Sequence, residues 1–341
     1  MRRVVIAALC LTLSGCLWHR GGAKPKKETE IKIPSNVSEP DRVLYEQALK
    51  DLKKSRFNIA RLTLQTLINT YPDSEFLPEA KYALAESFYR EGTTSNLNQA
   101  ESEFKDFITF FPTSDRADDA QLMIAMTHIR QMEKPDRDPT QSVFAETELR
   151  RMIETYPDSP LLDEAKEKLR AVQEVLAEGV FKIGSQYFIR KSYPAAISRF
   201  HDVLDKYPDY SRTPDVLFEL AEALQAMDSP ESATYYAKIA SDYPYSTRVA
   251  PAKTHLTEMN KPIPEPNAAA LARGETAKSS EDDKGLLGKL FGTFGHPSPV
   301  STETGASSIS KSSAQKSDSK DSGGDAGSSL KIENKPTKKP R

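Results

Sequence analysis

Residues 60–72, ARLTLQTLINTYP, decide the fold, because their pattern returns four more times along the chain. Each copy ends in an aromatic residue followed by proline, at positions 72, 112, 157, 208 and 244. A small residue stands twelve positions before each proline, and large apolar or aromatic residues stand eight and five positions before it. Spacings of four and three predict one buried face of a helix that the proline ends. In chain order these positions are Ala60, Ala100, Ala145, Ala196 and Ser232; Leu64, Phe104, Leu149, Phe200 and Tyr236; and Leu67, Phe107, Met152, Val203 and Ile239.

A second helical pattern follows each proline. Eight and twelve positions further on, a mostly small residue precedes a large one, which predicts a second helix with its own buried face. Small side chains let two helix backbones approach, and large ones fill the groove beside them. Asp or Ser after the proline, as in Pro157-Asp158-Ser159, is expected to N-cap this second helix. The positions are Ala80, Ala120, Ala165, Val216 and Ala252, and Leu84, Ile124, Leu169, Leu220 and Leu256.

These spacings resemble the tetratricopeptide repeat, an antiparallel helix pair. We therefore expect an all-α fold, a superhelical array of about five tetratricopeptide helix pairs over residues 41–260, with a disordered tail. Residues 92–96 and 133–141 are predicted to lengthen the turns of the second and third repeats. No proline interrupts residues 161–190, so the first helix of the fourth repeat is predicted to approach 30 residues, with bends at Gly179 and Gly184.

Composition excludes several classes of protein. The 341 residues include 47 Lys and Arg against 49 Asp and Glu, so nothing points to nucleic acid. Two cysteines cannot form a disulfide framework or a Cys-rich zinc site. The sequence also lacks a nucleophile elbow and a Gly-rich phosphate loop. We expect no catalysis, no metal and no cofactor. The histidines are scattered without metal-ligand spacing, at His19, His128, His201, His255 and His296.

The N-terminus has the pattern of an export signal. A basic start and an apolar run over residues 4–13 predict a signal peptide at 1–15, too short for a membrane span, which needs roughly 20 apolar residues. Leu13-Ser14-Gly15-Cys16 resembles the lipobox of bacterial lipoproteins. The resemblance implies lipidation of Cys16, so the membrane would be reached through the lipid anchor alone. A plain signal peptide that happens to contain a cysteine is the alternative.

Low-complexity segments flank the repeats. Residues 16–40 read as the lipid anchor and a flexible tether, and residues 261–341 as a mostly disordered tail rich in Ser, Gly, Lys and Asp. An apolar island at 286–294 interrupts this tail. It either binds a partner groove or membrane interface, or is simply unstructured.

Three stretches carry a closer resemblance, to the BamD family of outer membrane β-barrel assembly lipoproteins. They are residues 44–48 (LYEQA), residues 71–74 (YPDS) and, in the lengthened third turn, residues 136–140 (DRDPT). The resemblance implies a scaffold on the periplasmic face of the outer membrane that binds BamA and the targeting strand of unfolded outer membrane proteins. Other Bam subunits are further candidate partners. A general periplasmic repeat lipoprotein that bridges envelope proteins or peptidoglycan enzymes is the alternative.

Two groups of residues are candidate binding sites. The first helices usually line the concave wall of such an array, where a stripe of six residues is predicted to bind an extended peptide. The alternative is that neighbouring helices bury this stripe. Asp136, Arg137 and Asp138 either contact a partner or form a self-capped turn. The predicted groove comprises Tyr82, Glu86, Tyr89, Leu122, Met126 and Ile129.

Overall fold

The computed structural model describes residues 39–277, and every regular element within that range is an α-helix. Helices α1 to α10 form five consecutive pairs, and α11 and α12 follow the last pair. The bounds are α1 Pro40–Lys53, α2 Phe57–Thr70, α3 Leu77–Glu91, α4 Thr94–Phe110, α5 Ala117–Ile129, α6 Thr140–Thr155, α7 Leu162–Ile189, α8 Tyr193–Lys206, α9 Thr213–Gln225, α10 Ser232–Asp242, α11 Val249–Glu258 and α12 Ala268–Ala277.

The core lies between the helices of each pair and between neighbouring pairs. All fifteen positions predicted to face the core before the prolines are buried, and nine of the ten after them are buried too; Leu169 is half-buried. The predicted all-α array of helix pairs is therefore confirmed. None of the helices in residues 39–277 combines the length and the apolar character needed to span a bilayer.

The second helix of every pair ends at the aromatic residue of the repeated motif. Tyr71, for example, donates its backbone N–H to the carbonyl of Leu67 at 2.8 Å, as the last such bond of α2. Pro72 has no N–H to continue the ladder. Phe111, Tyr156, Tyr207 and Tyr243 occupy the same C-terminal position.

The serines after the prolines do not cap helices as expected. The N-cap of α3 is Phe76, and Ser74 lies two residues earlier, where its Oγ accepts the N–H of Phe76 at 3.1 Å. The same hydroxyl donates to Asp41 of α1 at 2.7 Å. Ser159 repeats the arrangement with Asp118 of α5 at 2.5 Å. These serines fix the turn and join one repeat to the next.

The extra residues of the second repeat lengthen a helix rather than a turn. Thr93 is the N-cap of α4, and its hydroxyl accepts the N–H of Asn96 at 3.2 Å. The helix therefore begins at Thr94 and has 17 residues, against 14 in α2. Gly92 supplies the left-handed conformation at the end of α3, with φ of 73°.

Helices α1, α7, α9 and α11 are each followed by a left-handed residue that is not glycine. Ser55, Lys191, Asp228 and Asn260 have positive φ, and each is followed by a residue whose N–H bonds the carbonyl five positions back. At α7 the two bonds are Ser192 to Tyr187 at 2.9 Å and Lys191 to Phe188 at 2.8 Å. This is the Schellman motif, which satisfies the last carbonyls of the helix.

Helix α7 has 28 residues, which confirms the predicted length, and it serves two cores. Val172 and Val175 pack with α5 and α6, whereas Phe181 packs with α8 and α9. Both glycines lie within one continuous helix, at points where a neighbouring group approaches it closely. A Cβ on Gly184 would lie 2.6 Å from Cε1 of Phe200, and one on Gly179 would lie 2.5 Å from the backbone oxygen of Pro135.

Helix α12 lies within the segment predicted as a disordered tail. Asn267 donates its N–H to the carbonyl of Ser241 at 2.9 Å, and Ala270 is buried, so α12 is fastened to α10. The signal peptide, Cys16, the tether up to residue 38 and the apolar island at 286–294 lie outside the described residues.

Candidate functional site

The predicted peptide groove lies on the first helices of repeats two and three. Tyr82, Leu122 and Ile129 are buried. Glu86, Tyr89 and Met126 are half-buried. Neighbouring helices therefore bury three of the six side chains. The other three are partly accessible, and we call them the accessible edge.

Tyr82 on α3 is only 3% exposed and makes a hydrogen bond, a cation–π contact and two aromatic contacts. Its hydroxyl donates to Oδ2 of Asp119 on α5 at 2.7 Å. The guanidinium of Arg116 lies 3.4 Å from the ring centroid, and Phe104 and Phe107 meet the ring edge-on. Burial and the Asp119 carboxylate raise the pKa of the Tyr82 hydroxyl well above its usual value. Tyr82 thus couples repeats two and three.

Tyr89 lies two turns further along α3, beside Arg130 at the end of α5. The Arg130 guanidinium is 4.7 Å from the Tyr89 ring centroid, and it also donates to the Tyr89 backbone carbonyl. Burial raises the pKa of the Tyr89 hydroxyl. Glu86, between the two tyrosines, is 3.7 Å from Arg90 on its own helix. On this side of α3 the half-buried Tyr89 ring therefore lies near the Glu86 and Arg90 ion pair.

The stripe on α5 belongs mainly to the core. Leu122 and Ile129 lie in the cluster formed by α5, α6 and α7, and Met126 packs against the same cluster from its edge. Met126 is the flexible thioether of the stripe, able to adapt to different neighbours. On α5, only Met126 of the predicted groove residues keeps a substantial exposed surface.

The third-repeat insertion is an ordered turn on which Arg137 is exposed. Asp138 accepts hydrogen bonds from the N–H and hydroxyl of Thr140 at 3.0 and 2.6 Å, which lower the pKa of the Asp138 carboxyl and start α6. Arg137 keeps 65% of its side chain exposed and lies 3.6 Å from Glu133. Asp136 is exposed. The turn is self-capped at Asp138, while Arg137 and Asp136 remain accessible.

The arginines at the N-caps of α5, α9 and α11 were not singled out from the sequence. Arg116, Arg212 and Arg248 each stand four residues after a motif proline, a signal present in the sequence. Their guanidinium carbons lie 3.4, 4.9 and 5.0 Å from an aromatic ring centroid on the preceding first helix. Each guanidinium therefore packs on the repeat before it.

The part of the chain that the structure describes contains no group of His, Cys, Asp and Glu suited to a metal ion. The candidate binding surfaces in that part are the half-buried residues Glu86, Tyr89 and Met126 and the insertion before α6.

Comparison with known proteins identifies relatives over the same region. The family model YfiO, described as an outer membrane lipoprotein, matches residues 38–239. An outer membrane protein assembly factor BamD from Caulobacter vibrioides is 26% identical over 232 residues, which cover 67% of this chain and 72% of the relative. BamD from Rickettsia prowazekii is 22% identical over 227 residues, covering 66% and 87%. A solved tetratricopeptide repeat protein from Thermus thermophilus aligns with 64% of this chain and 99% of its own at 18% identity, with a TM-score of 0.28.

Proposed function

The chain belongs to the YfiO family of outer membrane lipoproteins, and from that premise we propose that it is a scaffold subunit of the machine that assembles β-barrels in the outer membrane. The observation that carries the proposal is the extent of the family match, residues 38–239, which runs from α1 into α10 and so takes in the whole series of helix pairs. Its relatives are assembly factors, and the chain is accordingly a scaffold and not an enzyme.

The proposal assigns each binding surface a partner. The insertion at Asp136, Arg137 and Asp138 binds BamA, supported by the exposed Arg137 guanidinium on a turn that Asp138 holds in place. The accessible edge of Glu86, Tyr89 and Met126 binds the targeting strand of an unfolded barrel, with Tyr82, Leu122 and Ile129 as its buried support. A peptide strand suits these residues because they offer one aromatic ring, one thioether and one carboxylate, each partly accessible.

Depletion in the native bacterium tests the overall role. We expect a broad loss of outer membrane β-barrels, measured by quantitative proteomics of the outer membrane, before growth stops. Normal barrel levels accompanied by a defect in shape or division would instead support the bridging lipoprotein considered above.

Site-specific photo-crosslinking tests the substrate edge. A photoreactive residue at Glu86 should crosslink a peptide with the last ten or so residues of an outer membrane barrel. The matched control is the same residue at Leu62, which is 48% exposed but lies on the second helix α2. Equal crosslinking from both positions would contradict a dedicated groove.

The membrane attachment follows from Cys16 in the same proposal. Acylation of this cysteine would hold the array at the periplasmic face of the outer membrane, since two or more acyl chains anchor stably. Growth with a clickable palmitate analogue should label the wild-type protein, and Cys16→Ser should abolish the label. Label retained in Cys16→Ser would place the lipid elsewhere.

A further inference from the structure

The third-repeat insertion is attached to the array at both ends. Met132 is buried at its start, in the core between α5, α6 and α7. The side chain of Asp138 accepts two hydrogen bonds from Thr140 at its end. Between these points the N–H of Arg137 donates to the carbonyl of Lys134 at 2.9 Å, which closes a turn. The middle of the insertion, at Pro135, has a further contact with the array.

Gly179 provides that middle contact from the long helix α7. A Cβ placed on Gly179 would lie 2.5 Å from the backbone oxygen of Pro135 and 3.5 Å from its carbonyl carbon. Both atoms belong to the backbone, so no side-chain rotation relieves the overlap. Relief of the overlap therefore requires a shift of the backbone at Pro135, which lies inside the turn closed by the Arg137 to Lys134 hydrogen bond.

Gly179 lies near the point on α7 where the helix passes from one hydrophobic core to the next. The buried residues of α7 up to Leu176 belong to the core of repeat three, and those from Ala177 onward belong to the core of repeat four. Gly179 lies just beyond this change. The insertion therefore rests where the two halves of the array meet.

We propose that Gly179 is a positioning residue for the partner-binding insertion: its missing side chain lets Pro135 rest on α7, which sets where Arg137 is presented. This inference rests on the proposed function, because it takes the insertion as the surface that binds BamA. Glycine is otherwise disfavoured in the interior of a helix, so a helix needing only length would carry alanine at this position.

The test compares three variants of the full mature chain, with purified BamA from the same organism as the probe. Arg137→Ala is expected to weaken the Kd about tenfold, as for an exposed arginine at the centre of an interface. Gly179→Ala should weaken it by a similar factor, although residue 179 is not itself part of the exposed turn. The double variant should bind no more weakly than Arg137→Ala, since both changes act through one turn.

Gly184→Ala is the matched control. It lies on the same helix, but its Cβ would meet the ring of Phe200 rather than the insertion. We expect a lower melting temperature with an unchanged Kd measured below that temperature. Gly179→Ala should show the opposite pattern, a weaker Kd with little change in melting temperature, which a purely structural role would not produce.

Hydrogen exchange gives a second measurement that does not depend on any variant folding. In the wild-type chain the amide of Arg137 should exchange much more slowly than in an unstructured peptide. Exchange at the unstructured rate would overturn the positioning role. If Arg137→Ala leaves the Kd unchanged, the BamA-binding assignment of the insertion fails. If Arg137→Ala weakens binding and Gly179→Ala does not, the positioning inference alone fails.

Discussion

At the level of single residues, polar side chains at the helix starts connect successive repeats. The acceptors are carboxylates near the start of a first helix, and the donors come from the following repeat: Ser74 bonds Asp41, Ser159 bonds Asp118, and the Arg248 guanidinium bonds Asp215. Because partners 33 to 41 residues apart meet in this way, each contact exists only when two repeats are stacked.

Tyr82 is the most enclosed of these links, and Tyr82→Phe tests its hydroxyl. Removing the 2.7 Å bond leaves Asp119 with only Arg116 at 3.2 Å, so we expect a loss of about 1–2 kcal/mol in the free energy of unfolding. Urea titration followed by circular dichroism measures it. Tyr193→Phe is the control, since the Tyr193 hydroxyl makes no hydrogen bond to any residue within 39–277, and it should change stability much less.

Glu222 on α9 gives a pH-dependent prediction. Burial raises the pKa of its carboxyl above the ordinary 4.5, against the opposing attraction of His255 and Arg248. The folded state then keeps the proton to a higher pH than the unfolded state, so stability falls as the pH rises from 4.5 through the folded pKa. Glu222→Gln should therefore stabilise the protein at pH 7 and make little difference below pH 4.5.

Urea unfolding at pH 4 and pH 7 measures this difference. The same substitution at Glu154, which is exposed on α6, is the control and should show no comparable gain at pH 7. A Glu222→Gln gain of equal size at both pH values would contradict the burial argument.

At the level of helices, the ends of the first helices carry avoidable strain. Lys191 has φ of 59° in the Schellman motif after α7, a conformation that costs a non-glycine residue roughly 1–2 kcal/mol. Lys191→Gly should raise the free energy of unfolding by about 1 kcal/mol, after the greater freedom of glycine in the unfolded chain is subtracted.

The neighbouring residue supplies the comparison for this change. Arg190 has φ of −77°, so Arg190→Gly brings only the entropic cost and should lower stability by about 0.5–1 kcal/mol. Thermal unfolding of the two variants should move in opposite directions. If both lose stability, the left-handed conformation at Lys191 is not a source of strain.

At the level of the whole molecule, α7 is the one described helix whose two halves serve different cores. In a repeat array each unit is stabilised by its neighbours, so cooperativity passes along the chain through such shared helices. Ala177→Pro interrupts α7 where the cores change and should cost about 3 kcal/mol or more. We expect helices α8 to α11 to open before α1 to α6.

Hydrogen exchange read by mass spectrometry, peptide by peptide, measures that separation. Asp163→Pro is the matched control, because α3 and α9 already carry proline at the second helical residue, at Pro78 and Pro214. It should leave the two halves opening together. Joint opening of both halves in Ala177→Pro would mean that α7 does not couple them.

The sequence by itself determined the pairs of helices, their buried faces, the end of each second helix at an aromatic-proline pair and the length of α7. These features are local: periodicity selects the buried face, and proline ends the hydrogen-bond ladder whatever surrounds it. The lipobox and the BamD resemblance likewise needed no coordinates.

Only the tertiary structure decided which side chains on each helix face are covered by the neighbouring repeat and which stay accessible. Periodicity placed Tyr82 and Tyr89 on one stripe, but Asp119 and Arg116 from the next repeat enclose Tyr82, while Tyr89 stays at an accessible edge. Gly179 lies against the backbone of Pro135, a residue more than 40 positions earlier in the chain. Such outcomes depend on atoms of different repeats that meet only when the repeats stack, and the spacing of residues along one helix holds no information about them.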